Sequence, residues 1–198
     1  MTIALFNEIL RKAIHISSVI IPLAYFFFIK DRTLMIFILL VLTMVSLLIE
    51  YHRIKNKGRA GYFFQTYLQP MLRPEEKRGH FTGATWMMIS FTIAVLIFDI
   101  DVAVFSLLFL SLGDSAAGLL GRAFPIGKIW NKSILGSLSG FIISIIVVYA
   151  INVTLPLQII IFGAISAMLI ELIPLKINDN LSIPIFSGVI MQILKETL

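Results

Sequence analysis

The segment "LGDSAAGLLGR", residues 112–122, sets a carboxylate, Asp114, inside a run that is otherwise apolar. A charged side chain at the centre of a bilayer costs roughly 2.5–3.5 kcal/mol on insertion scales, so such a residue needs a partner and points to a functional site. At helical spacing Asp114, Gly118 and Arg122 (i, i+4, i+8) share one face, and Gly113, Ala117 and Gly121 form a small-residue stripe beside it. One reading is a tight helix–helix contact along that stripe, with Asp114 neutralised by Arg122. The other is a reactive carboxylate whose charge is used.

The adjoining stretch favours the reactive carboxylate. "GRAFPIGKIWNKSILGSLSG" supplies Gly121, Arg122, Gly127, Lys128, Lys132, Ser133, Gly136, Ser137 and Gly140 within twenty residues. Glycines let main-chain N–H groups converge on an anion, a helix starting near Ser133 offers its positive end, and Arg122, Lys128 and Lys132 add charge. The set suits a polyphosphate. It is not a P-loop: five residues separate Gly121 from Gly127, and Ile129 stands where Ser or Thr would hold magnesium. A second acid, Glu171 in "MLIELIP", is followed by "NDNLSIP" with Asn178, Asp179 and Asn180. Carboxylates and amide oxygens are hard ligands suited to Mg²⁺. Asp114, Asp179 and Asn180 are therefore the expected metal ligands, with Glu171 at the same depth. Read alone, "NDN" before "SIP" is also a turn and helix cap. Near the N-terminus Glu8 and Lys12, and Arg11 and His15, are i, i+4 pairs at the same rim.

These groups need a scaffold that holds them at one level. Of the 198 residues 59% are hydrophobic and 14% charged, and mean hydropathy is +0.98, which is the composition of an integral membrane protein. The apolar runs approach the ~20 residues of a spanning helix rather than the short alternating segments of a barrel. The fold class expected is all-α: a polytopic membrane helical bundle, one catalytic domain over 1–198, with about seven spans at 12–29, 33–49, 80–98, 102–120, 135–153, 157–173 and 183–194. The first run lacks a small-residue cleavage site and is read as a retained helix. With the N-terminus in the cytoplasm, thirteen of the Lys and Arg residues lie inside and three (Lys30, Arg32, Lys195) outside, as the positive-inside bias requires. Every candidate residue above then faces the cytoplasm. Loop 50–79 is expected to carry an interfacial helix on Phe64, Tyr67, Leu68 and Met71. The absence of cysteine excludes a disulfide framework and a thiolate metal site. Gly136-x-x-x-Gly140 could pack within one chain or between two, the second arrangement giving a homodimer.

"GDSAAGLLGRAFPIGKIWNKSILGSLSG" resembles the core signature of the polyprenol kinase family, which includes dolichol kinases, phytol kinases and CTP-dependent diacylglycerol kinases. "EILRKAIH", "LRPEEKRGHFTGATW", and "ELIP" followed by "DNLSIP" look like its flanking elements, so the likeness covers most of the chain. It implies transfer of the γ-phosphoryl group of CTP, with Mg²⁺, to the hydroxyl of a membrane-dissolved lipid alcohol, with no nucleic acid involved. Asp114 or Glu171 would accept the proton. Gly121, Arg122, Gly127, Lys128, Lys132, Ser133, Gly136 and Ser137 would hold the nucleotide. Arg11, Lys12, His15, Arg73 and Glu76 would form a lipid or phosphate rim. Where relatives often carry Glu before Gly-Ser, this chain has Leu135. Phosphatidate cytidylyltransferases share the Gly-Asp and Gly-Arg pattern, but nothing after Lys176 matches their closing signature. A transporter or scaffold would want mid-membrane polar residues or a repeat.

Overall fold

The apolar runs fold as helices, in which each segment satisfies its own backbone hydrogen bonds and so tolerates lipid. The computed structural model describes residues 3–55, 61–62, 66, 69–152 and 154–198, with side chains from Ile9 onward except Pro70. Helix α1 (Ile3–Ser17) leads through a turn into α2 (Ile20–Ala24), which widens into a π turn over Tyr25–Ile29. Then come α3 (Arg32–Lys55), a 3₁₀ turn at Gln69–Met71, α4 (Pro74–Lys77) and α5 (Gly83–Ile97). α6 (Ile100–Leu108) continues through a π turn, Phe109–Asp114, into α7 (Ser115–Ala123). A two-stranded hairpin, β1 (Lys128–Ile129) and β2 (Lys132–Ser133), precedes α8 (Ile134–Ile151), α9 (Leu157–Leu172) and α10 (Asp179–Thr197).

Among the described residues each of the seven expected apolar segments is mainly helical. Ile9–Ile29, Arg32–Lys55, Ile100–Ala123 and Ile134–Ile151 are long and apolar enough to cross a membrane; Gly83–Ile97 and Leu157–Leu172 are shorter apolar helices. The last helix begins earlier than its apolar run because the Asn178 side chain accepts the Asn180 N–H at 3.0 Å and caps it. The interfacial helix expected on Phe64, Tyr67 and Leu68 lies outside the described residues, whereas Met71 closes the 3₁₀ turn.

The span Ile100–Ala123 is the hub. Of its most apolar stretch 78% is buried inside the protein, against 17–22% for the other three helices long and apolar enough to cross a membrane. It packs against α8, α9, α10 and α1. At its start, Asp99 and Asp101 hold Lys195 of α10 at 2.9 and 2.8 Å, which staples the C-terminal helix to the hub.

The stripe Gly113, Ala117, Gly121 meets Gly136, Gly140 and Ser144 of α8, so that two backbones approach closely. Lipid is as apolar as leucine, and such association depends on close packing rather than on the hydrophobic effect. Gly136-x-x-x-Gly140 is therefore used within this chain. A Cβ at Gly136 would lie 2.6 Å from the Ala117 carbonyl oxygen and 2.9 Å from the Gly121 Cα, and neither backbone atom can swing aside. Gly136→Val is accordingly expected to destabilise the protein by about 1–3 kcal/mol, the usual range for overpacking, read as a lower thermal unfolding midpoint in detergent.

Candidate functional site

The hub ends where the hairpin begins, and α1, α9 and α10 converge on the same level. Between them lies an open cavity of ≈ 660 Å³ lined by the basic side chains of Lys12, Arg73, Arg122, Lys128 and Lys132 and by the acids Asp114, Glu171 and Asp179. Gly121, Ser133 and Ser137 also line it. Most of the residues singled out by type and spacing thus share one space.

Asp114 is 7% exposed, and its partner is not Arg122. Lys12 Nζ lies 2.5 Å from Asp114 Oδ2 and also donates to the Asp114 carbonyl at 3.0 Å. The i, i+8 spacing aims Arg122 along the same helix toward the rim, where it lines the cavity mouth. Lys12 arrives from α1 and reaches the buried carboxylate. His15, one turn on, places Nδ1 3.8 Å from the same oxygen. The Ser18 and Ser111 hydroxyls, 2.9 Å apart, fasten α1 to the π turn beneath.

Lys132, which lines the same cavity, binds two acids at once. Its ammonium is 3.0 Å from Glu171 Oε1 and 2.8 Å from Asp179 Oδ2, and it donates to the Glu171 carbonyl. Ser137 donates to Glu171 Oε2 at 3.0 Å. Burial works to lower the Lys132 pKa, but the carboxylates of Asp179 and then Glu171 outweigh it and raise the value above that of an ordinary lysine. The pairing is therefore complete at neutral pH and is lost only as pH rises through that raised value. Ser133 accepts the Gly136 N–H at 3.1 Å, capping α8, and the hairpin ahead of it turns at Trp130 in a left-handed conformation (φ 51°). The glycine-rich connection expected here is thus a β-hairpin, with Lys128 opposite Ser133.

Several expected residues lie elsewhere. Gly136 does not line the cavity, because its amide caps α8 and its Cα faces the hub. Gly127 (φ +66°) shapes the turn before the hairpin and packs against Ile134. Asn180 does not join Asp179: its amide donates to the Gly83 carbonyl at 2.6 Å, since consecutive residues on a helix point about 100° apart. Glu76 accepts from the Arg73 N–H at 2.8 Å and the Gly83 N–H at 2.9 Å, tying α4 to α5. Asn180 and Glu76 instead border a second cavity of ≈ 750 Å³, with Arg11, His15 and Met71. Lys12 and Arg73 line both cavities.

Glu50 was not singled out by sequence. It is 1% exposed, pairs with Arg53 and accepts from Thr82 and Thr85 at 3.0 Å each. Arg53 also donates to the Glu76 and His80 carbonyls at 2.8 and 2.7 Å, so the group clamps the segment entering α5. The signal was present: an acid and an arginine at i, i+3 closing an apolar run.

The chain is 31% identical over 183 residues to the uncharacterized protein RP860 of Rickettsia prowazekii (strain Madrid E), covering 88% of each protein. The chain belongs to the family of RP860. This RP860-family chain is also distantly similar to the CTP-dependent diacylglycerol kinase 1 of Schizosaccharomyces pombe (strain 972 / ATCC 24843), at 26% identity over 151 residues, 66% of this chain and 68% of that protein. No family model and no solved structure matches the chain.

Removing one partner of a buried ion pair strands the other charge, at a cost of about 3–5 kcal/mol. Lys12→Met is expected to lower stability by that amount, and Lys12→Met combined with Asp114→Leu to recover most of it, both measured by thermal unfolding in detergent. The Lys132 pairing should be lost in strong alkali: the unfolding midpoint of the parent is expected to fall as pH passes the ordinary lysine value of about 10.4, more steeply than that of Lys132→Met.

Proposed function

We propose that this chain is a membrane lipid-alcohol kinase that transfers the γ-phosphoryl group of a nucleoside triphosphate, CTP by its likeness to the diacylglycerol kinase, to the hydroxyl of diacylglycerol or a related polyprenol or phytol-like alcohol. The observation that carries the reading is the first cavity, where five basic side chains and three carboxylates, Lys12 and Lys132 paired with the acids, gather at one end of a bundle of apolar helices. In the topology we propose, the seven apolar segments span, the N-terminus is cytoplasmic and this cavity opens to the cytoplasm. The polarity of the basic residues supports it, and so does the position of the Asp99–Asp101–Lys195 staple at the opposite end of the hub.

Phosphoryl transfer is achieved by positioning and charge stabilisation. Arg73, Arg122 and Lys128 line the cavity where they would neutralise the phosphates, and Ser137 holds Glu171 in place. The donor set is compatible with Mg²⁺ if the ion takes the place of the Lys132 ammonium, which would then be released to the phosphates. Glu171 and Asp179, from two helices, each bring a carboxylate oxygen within 3.0 Å of one ammonium, beside space for phosphates and water, and Mg²⁺ is usually held by one or two carboxylates with such groups. Among the described residues no three His, Cys, Asp or Glu side chains cluster as a dedicated metal cage. Glu171 and Asp179 would therefore hold the ion, in place of the trio with Asn180. When bound, it would neutralise charge developing on the transferred group. That leaves Asp114 as the acid beside Lys12, at the wall common to both cavities.

The test is to incubate the purified chain with Mg²⁺, each nucleoside triphosphate and a panel of lipid alcohols. A nucleoside diphosphate and a phosphorylated lipid are expected, with Asp114→Asn inserting normally but losing turnover by about 10²-fold or more. Release of pyrophosphate would instead identify a cytidylyltransferase, and failure to bind labelled nucleotide would remove the enzymatic reading.

A further inference from the structure

We propose that the second cavity receives the head of the acceptor alcohol and that the His15 imidazole takes the proton from its hydroxyl; this rests on the lipid-alcohol kinase reading. The cavity is amphiphilic. Ile14, Met71, Leu72 and Ala84 supply its apolar side, and Ile14 is 45% exposed on the flank of α1, where hydrocarbon chains lie in a bilayer. A diacylglycerol or similar alcohol could thus enter sideways, tail in lipid and head inward. A water-soluble acceptor would have no use for such a flank.

The polar side of the cavity is largely committed. Asn180 is spent on the Gly83 carbonyl, and Glu76 on the N–H groups of Arg73 and Gly83. His15 is different. Its Nδ1 is buried with no hydrogen-bond partner and stands 3.8 Å from Asp114 Oδ2, while Nε2 lies 4.0 Å from the position a Cβ on Gly83 would take, on the cavity side. The ring therefore bridges the wall, with one nitrogen toward the buried acid and the other toward the space for the lipid head. A buried unsatisfied nitrogen costs about 1–3 kcal/mol, so its retention asks for an explanation. Catalytic hydrogen bonds are often long until substrate arrives, and closing the 3.8 Å gap would fix the tautomer with Nε2 as acceptor.

Lys12 and Arg73 belong to both cavities, so a γ-phosphate in the first and a hydroxyl in the second meet at the same two cations. In the transfer the hydroxyl oxygen bonds to the γ-phosphorus while the bond from that phosphorus to the β–γ bridging oxygen breaks. The bridging oxygen keeps the electron pair and departs with the nucleoside diphosphate, and the hydroxyl proton passes to His15 Nε2 and then to water. His15 is the catalytic residue here, and Asp114 positions it.

The test uses the full chain in nanodiscs, with diacylglycerol and CTP varied independently. His15→Gln is expected to lower kcat by about 10²-fold or more with the KM for CTP unchanged. Ala84→Trp, which fills the apolar side, is expected to raise the KM for diacylglycerol at least about tenfold and leave CTP binding intact; if it fails to reach the membrane, Ile14→Trp on the same wall serves. A photoreactive diacylglycerol is expected to label the segments around Ile14 and Ala84 in the parent protein. A His15→Gln kcat within about twofold of the parent, or an unchanged diacylglycerol KM with labelling elsewhere, overturns the proposal while parent turnover keeps the kinase reading. If the parent phosphorylates no alcohol with any nucleotide, both fall together.

Discussion

A carboxylate and an ammonium 2.5 Å apart, each less than a tenth exposed, cannot be separated without stranding a charge in apolar surroundings, and in this protein that pair joins residues 12 and 114. Asp114 sits on the most deeply buried helix, so Lys12 fixes where α1 must lie. Once α1 is held there, His15 comes one turn later to the same carboxylate, and Ser18 reaches Ser111 below. The N-terminal helix is therefore docked by polar contacts along one edge, a mode that suits a medium in which apolar contact with a neighbouring helix is no better than contact with lipid.

The second lysine–acid group works in the same way from the other side. Lys132 leaves the hairpin and holds Glu171 and Asp179, so α9, α10 and the hairpin share one ionic node. Both nodes face the same cavity, which concentrates charge where the helices end. The small residues of the hub do separate work: Gly113, Ala117 and Gly121 let α8 approach, and Ser133 satisfies the Gly136 N–H in the first turn of that helix. Polar residues and glycines that are neighbours in sequence thus divide between site and scaffold.

That division marks what a sequence can and cannot express. The helices were legible because apolar runs of spanning length have few alternatives in lipid, Asp114 and Glu171 stood out because acids are costly there, and Lys128 and Lys132 stood out as cations within a glycine-rich connection. Pairings were another matter. Arg122 looked like the counter-ion of Asp114 because spacing along one helix is visible, whereas Lys12, 102 positions away, is brought in by tertiary packing. Asp179 and Asn180 looked like joint ligands because they are adjacent, yet a helix sends neighbours to different faces, and α10 delivers one to each cavity. Glu50 escaped notice because its partners Thr82 and Thr85 lie beyond a long loop. The hairpin at Lys128–Ser133 is too short for alternation to announce a strand.

The π turn at Phe109–Asp114 gives the central helix one residue more than a regular α-helix would hold over the same rise. One residue is about 100° of rotation, so the two halves of the hub are out of phase with each other. Ile100–Leu108 can turn apolar side chains to every neighbour, while Ser115–Ala123 brings its glycine and alanine edge to α8 and leaves Asp114 facing α1. Deleting a single residue within the turn would restore regular winding, swing the acid away from both Lys12 and His15, and leave an ordinary hydrophobic rod. The placing of Asp114 at the cavity rim is in that sense owed to an insertion, carried as a defect in an otherwise regular helix.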